Sequence, residues 1–432
     1  MRRVLARDLV LTAVVAEAAV RLLRPRPVPR AVEPAEVRAY FSAQELARGR
    51  SFARPQLALG AATGAVRLSV VTLAALRPPG YLRTRRARGL VTSAATAAGL
   101  GVAARIPSWP IAALARRRAL AAGLATQSWR GWGLDVVKST AIEAGFAAGA
   151  GVAVVATMRR FPRNWWLIGA GGSVGVGALL ALLGPVLLDP IFNDFEPLPE
   201  GETRAEVLEL AAAAGVRVED VFVVDASRRT TAANAYVTGL GPTKRVVLFD
   251  TLLDRYDSDQ VRVVVAHELA HVSNRDVLRG IAYGAIVAAP AARAVARLAG
   301  PLIDDEAGPA ALPTLSLGAA VVSAPIGVIA ARLSRAIERR ADQRSLELTH
   351  APEAFIRFER GIALQNLIDI VPPRLLHALL ATHPSTAERI GAALEFAAAA
   401  SGAGGAGAPP GAGTATPPPP PPPDAPRTPA GS

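Results

Sequence analysis

Apolar residues gather in seven long runs along this chain, at about 5–23, 57–76, 89–104, 139–158, 165–189, 278–300 and 312–333. Each approaches the roughly 20 residues that a helix needs to cross a bilayer. Between the fifth and sixth runs the pattern changes. Residues 220–225, 235–240 and 245–249 read as short strands and 205–214 as a surface helix, a water-facing αβ segment. Val261 to His271 returns to helical spacing, and Asp257 followed three residues later by Gln260 is a helix-start signal. Helical, charged sequence runs from Ser334 to about Ala398. Beyond 401 the chain is Gly/Ala/Pro-rich with an unbroken Pro417–Pro423 run, a disordered or polyproline II spacer.

These boundaries divide the chain into five spans over 1–189, a soluble segment over 190–277 and a transmembrane hairpin over 278–333. A C-terminal soluble part over 334–398 and a tail over 399–432 complete it. The expected class is mainly α: a multi-span membrane protein with seven transmembrane helices and a small α+β domain. The first run resembles a signal peptide, with Ala16-Glu17-Ala18 as a poor cleavage site; its short apolar core and the spans that follow favour an uncleaved anchor.

Composition agrees with a membrane protein: 51% of residues are hydrophobic and only 19% charged. The formal charge of +13 comes largely from arginines at the ends of apolar runs. That placement suits anionic lipid head groups rather than nucleic acid. The basic loops around 24–54 and 116–138, the αβ segment and the C-terminal part fall on one side, assigned to the cytoplasm. The turn holding Asp304, Asp305 and Glu306 falls on the other. Basic turns at 83–88 and 159–163 argue against this orientation. The Ala/Arg/Gly/Pro-heavy composition hints at a bacterial source. Arg67, Glu143, Arg293 and Arg297 lie inside apolar runs, facing a polar cavity or marking imprecise boundaries.

There is no cysteine, so disulfides and thiolate metal sites are excluded and any metal must be held by His and carboxylate. His267-Glu268-Leu-Ala-His271 supplies such a set. Positions four apart stack on one helix face, so both imidazoles reach one ion, while Glu268 sits about 100° round the helix, where a general base belongs. The bland alternative is two chance histidines on an amphipathic helix. A catalytic zinc takes a third protein ligand and leaves one position open. Ser334-Arg-Ala-Ile-Glu338-Arg-Arg-Ala-Asp342 offers Glu338 as ligand and Asp342 as the carboxylate orienting a ligand histidine. An exposed helix with Glu/Arg pairs reads equally well there.

The order of spans, the His-Glu-Leu-Ala-His sequence and the Glu338/Asp342 pair resemble the integral-membrane zinc endopeptidases typified by the type I CAAX prenyl protease. Further matching stretches are Pro190 to Glu202, Asn234-Ala-Tyr-Val-Thr-Gly239, Arg245 to Leu253, and Thr382-His383-Pro384-Ser385 with Glu388-Arg389-Ile390. Gly123 to Ser128 and Asp135 to Lys138 are similar to the loop before the family's fourth span. The resemblance covers about 36 to 396 and implies a zincin-like protease domain of the gluzincin kind. It further implies one Zn²⁺ per chain on His267, His271 and Glu338, with Glu268 as base. Asn234 and His383 would line the site, and Asp342 and Arg389 would brace the ligands. The implied partners are a peptide or protein substrate and the bilayer. The chain shows no endoplasmic-reticulum retrieval signal, which weighs against a prenylated substrate. A quality-control protease and a non-catalytic zinc-binding membrane protein remain as alternatives, and His₂Glu sites accept other divalent metals.

Overall fold

A computed structural model describes residues 2–26, 34–83, 89–239, 241–303 and 308–403. The acidic turn at 304–306 and the Pro-rich tail lie outside the described residues. The N-terminal half is helical: α1 (Arg2–Leu23), a single turn α2 (Val37–Tyr40), α3 (Ala43–Leu76), α4 (Leu90–Arg105), α5 (Trp109–Ala121), α6 (Trp129–Arg160) and α7 (Trp165–Leu187). The soluble segment follows as β1 (Phe195–Pro197), α8 (Glu202–Ala213), β2 (Asp220–Val224), β3 (Ala235–Thr238), β4 (Arg245–Phe249), α9 (Asp250–Leu253) and α10 (Ser258–Ser273). Next come α11 (Asp276–Ala299), α12 (Leu312–Thr349), α13 (Pro352–Gln365), α14 (Arg374–Leu380) and α15 (Thr386–Ala403).

Six stretches among the described residues are long and apolar enough to cross a membrane: 43–76, 90–121, 129–160, 165–187, 276–299 and 309–349. The first run, expected as a seventh span, falls outside that set. Its helix α1 carries Asp8 and Glu17, and both have partners. Asp8 lies 3.6 Å from Arg293 and 4.0 Å from Arg297, and Glu17 lies 2.7 Å from Arg332. At its other end Leu23 O accepts from Arg279. These contacts lay α1 antiparallel along α11, with Ala16, Ala19 and Val20 against Tyr283, Val287 and Leu333. The two acids that lower its hydropathy are answered by neighbouring helices rather than by water. Glu143 likewise pairs with Arg105.

The sheet has the order β1-β2-β4-β3, with β2 and β4 parallel and both outer pairs antiparallel. The three anticipated strands are present within a residue or two. β1 was not anticipated: it is three residues long and ends in Pro197, so it shows no alternation. Val246 and Leu248 of β4 pack with Val221 of β2 against Val261, Val265 and Leu269 of α10. Val207 and Leu210 of α8 and Phe355 and Phe358 of α13 close the same core. Thus α10 is enclosed by apolar contacts and has little freedom to move. One continuous α12 runs from its apolar first half to the core beneath the sheet, where Leu346 packs. Its 38 residues span about 57 Å at 1.5 Å per residue, far more than one crossing needs.

Candidate metal centre

The local sequence sets how α10 begins. Asp257 accepts from Gln260 N at 2.9 Å and Gln260 Oε1 accepts from Asp257 N at 3.2 Å, a reciprocal cap at the helix start. Ten residues on, His267 and His271 project from one face, with their Nε2 atoms 3.2 Å apart and the rings edge to face. The Ser345 hydroxyl of α12 bonds Val263 O at 2.7 Å, and that register lays Glu338 over both rings. Its Oε2 is 3.3 Å from His267 Nε2 and its Oε1 is 3.6 Å from His271 Nε2.

These separations suit a metal. Three donors bonded at about 2.1 Å in tetrahedral directions stand roughly 3.4 Å from one another. Ligand atoms of His267, His271 and Glu338 all lie within 4.8 Å of one another. Glu338 Oε2 is buried and makes no well-formed hydrogen bond, its nearest nitrogens being His267 Nε2 at 3.3 Å and His383 Nε2 at 3.4 Å, an arrangement that a cation between them would complete. Two imidazole nitrogens and one carboxylate oxygen form the donor set of a three-ligand zinc site.

Each histidine is held at its far nitrogen. His267 Nδ1 meets Asp342 Oδ1 at 2.9 Å, and Asp342 in turn takes Arg389 Nε at 3.0 Å and Arg389 Nη2 at 2.5 Å. Arg389 also pairs with Glu359 at 2.7 Å. Arg389 stands in the first turn of α15, whose start is capped by Ser385 and Glu388, and that turn faces α12. Burial alone would weaken the Arg389 cation, but Asp342 and Glu359 outweigh it and hold the guanidinium charged. On the other side, His271 Nδ1 meets Asp276 at 3.1 Å.

Asn234, Glu268 and His383 line one cavity of about 540 Å³ with His267, Phe358, Ile362 and Leu380. His383 Nε2 is 3.4 Å from Glu338 Oε2, and its Nδ1 contacts Thr382 Oγ1 at 2.9 Å. Asn234 is exposed at the head of β3, its carbonyl accepting from Phe249 N. Burial holds the Glu268 carboxyl above its ordinary range, and the two histidines oppose that shift. All eight residues singled out in the sequence therefore meet in one place. The loop 123–128 is joined to the approach to β3 through Thr230, Thr231 and Thr126.

The profile of peptidase family M48 matches residues 197–397, which contain this whole cluster. That segment resembles peptidase family M48. The Bacillus subtilis metalloprotease YhfN is 34% identical over 242 residues, 54% of this chain and 57% of YhfN. Saccharomyces cerevisiae CAAX prenyl protease 1 is 39% identical over 100 residues, 23% of this chain and 22% of the yeast protein. The chain therefore aligns with little more than half of the former and under a quarter of the latter. In fold, S. mikatae Ste24p matches 90% of this chain and 97% of its own at a TM-score of 0.70 and 18% identity.

The matched segment contains several site residues that sequence reasoning passed over. Asp276 and Arg340 pair beside His271. Arg340 stands between Glu338 and Asp342 and read as a solvated charge. Glu359 is buried between apolar Phe355 and Ile362 on α13. An acid on an otherwise apolar helix face was the signal available for it. His377, which belongs to no motif, lines the same cavity.

Proposed function

We propose that this chain is a membrane-embedded zinc endopeptidase that hydrolyses peptide bonds in membrane-associated or C-terminally processed proteins. The observation that supports it most is the meeting of His267 Nε2, His271 Nε2 and Glu338 at tetrahedral spacing beside the Glu268 carboxylate. A bound zinc ion supplies Lewis acidity to a water molecule and to the scissile carbonyl. Glu268 takes a proton from the attacking water as its oxygen bonds the carbonyl carbon. It returns that proton to the amide nitrogen as the C–N bond breaks. His383 and the Asn234 side chain donate to the oxygen on which charge develops. Asp342, held by Arg389, keeps His267 oriented.

The substrate lies extended along β3, one of the two outer strands of the sheet, and its backbone adds to the ladder. The yeast relative is named a CAAX prenyl protease; for this chain the proposal is the wider class of polypeptides at the membrane surface. The site faces the cytoplasmic side of a bacterial cell membrane, and the five segments of the chain divide as their composition suggests.

The Glu268→Gln variant tests this directly. It is expected to keep its metal while kcat on a casein-type or reporter peptide falls about 10²–10⁴-fold. Undiminished cleavage would sink the mechanism. Wild-type protein that binds metal yet cleaves nothing would favour a non-catalytic role.

A further inference from the structure

The second ligand histidine has a brace that no step above uses. His271 turns Nε2 to the metal cluster and Nδ1 to Asp276 Oδ2, 3.1 Å away, and Asp276 is only 8% exposed. On an uninterrupted helix, residues five apart point about 140° from each other and do not meet. They meet here because Arg275, at φ 55° and ψ 43°, ends α10 in a left-handed turn and brings the first residue of α11 back to the ring. Asp276 Oδ1 accepts from Arg340 of α12 and lies 3.5 Å from Arg279 Nε. Arg279 Nη1 in turn donates to Leu23 O, the last residue of α1, at 2.5 Å. One buried carboxylate thus joins α10, α11 and α12 and, through a guanidinium, α1.

We infer that Asp276 is a positioning residue for the metal site, resting on the metalloenzyme reading above. A neutral imidazole carries one N–H. Given to Asp276 from Nδ1, that hydrogen leaves the Nε2 lone pair for the ion. Arg279 and Arg340 fix the carboxylate, so the aim of the His271 ring depends on how α1 packs against α11 and α12. An acid in a first helical turn commonly serves the helix dipole. That role explains the residue type but accounts for neither the burial, nor the two guanidinium partners, nor the imidazole contact.

The test uses purified full-length protein, with zinc affinity read by competition with a chromophoric chelator and ligand geometry read from the visible spectrum of the cobalt-substituted protein. Asp276→Asn is expected to bind zinc about 10–100-fold more weakly and to shift the cobalt bands. Asp276→Glu should recover part of the affinity. Should Asp276→Asn fail to accumulate, Arg340→Gln reads the same link, with a smaller loss in the same direction. Affinity and spectrum unchanged in Asp276→Asn, or in Arg340→Gln where that variant carries the test, would overturn the inference while leaving the hydrolase reading intact. A wild type that holds no metal would overturn both.

Discussion

His267 is gripped at both ring nitrogens, by Asp342 at 2.9 Å and Glu338 at 3.3 Å. Burial disfavours its imidazolium, but those two carboxylates prevail and its pKa is raised to about 10. The proton and a metal compete for the same place. Chelator-treated protein keeps the proton below about pH 10, so binding must displace it, and zinc affinity is expected to rise with pH from 6.5 upward. Titrations in buffers from about pH 6.5 to 8.5 check this; a flat profile would contradict it. The same proton stabilises the chelated fold, fully below the unfolded value of 6.5 and progressively less as pH rises through 10. Arg389→Gln leaves Asp342 and Glu359 buried without their cation, and a loss of about 3–5 kcal/mol in stability is expected from denaturant unfolding. His267 and His271 were legible because helical spacing decides which side chains share a face, whereas Glu338 and Asp342 rested on the family resemblance, since their spacing fits an exposed charged helix equally well. Asp276 was not, because its place depends on the left-handed turn at Arg275, which no periodicity announces.

At the scale of elements, the edge strand carries the substrate proposal, and the turn after it is tight. Gly239 has φ 103°, and a Cβ there would stand 2.2 Å from Thr243 O. Gly239→Ala must therefore displace the β3–β4 connection. A shift of about 1 Å in a substrate-positioning element can cost about 10²-fold, so kcat/KM is expected to fall to that extent with metal content unchanged. Equal kcat/KM would remove β3 from the substrate path. The strands β2, β3 and β4 were readable from apolar runs bounded by turn residues. By contrast, the stretch 334–398 gave only helical, charged sequence. Its division into α12 to α15 depends on packing: Phe355 and Phe358 join the α10 core, while Leu375 and Leu380 of α14 stay exposed.

At the scale of the molecule, the six apolar stretches and α1 carry a domain whose α12 is continuous from membrane to metal site. The span pattern was legible because hydropathy over about twenty residues is a strong signal. The standing of α1 was blurred by Asp8 and Glu17, whose arginine partners on α11 and α12 come roughly 300 residues later in the chain. Lack of cysteine makes orientation measurable. Asp194→Cys, at an exposed position just before β1, is expected to resist an impermeant maleimide in intact cells and to react after permeabilisation. Labelling from outside would reverse the proposed orientation. The central claim is that His267, His271 and Glu338 hold one ion and leave Glu268 free. Metal content per chain of wild type, Glu268→Gln and Glu338→Gln tests it most directly. One zinc per chain is expected in the first two and a large loss in the third; full metal in Glu338→Gln would contradict the account.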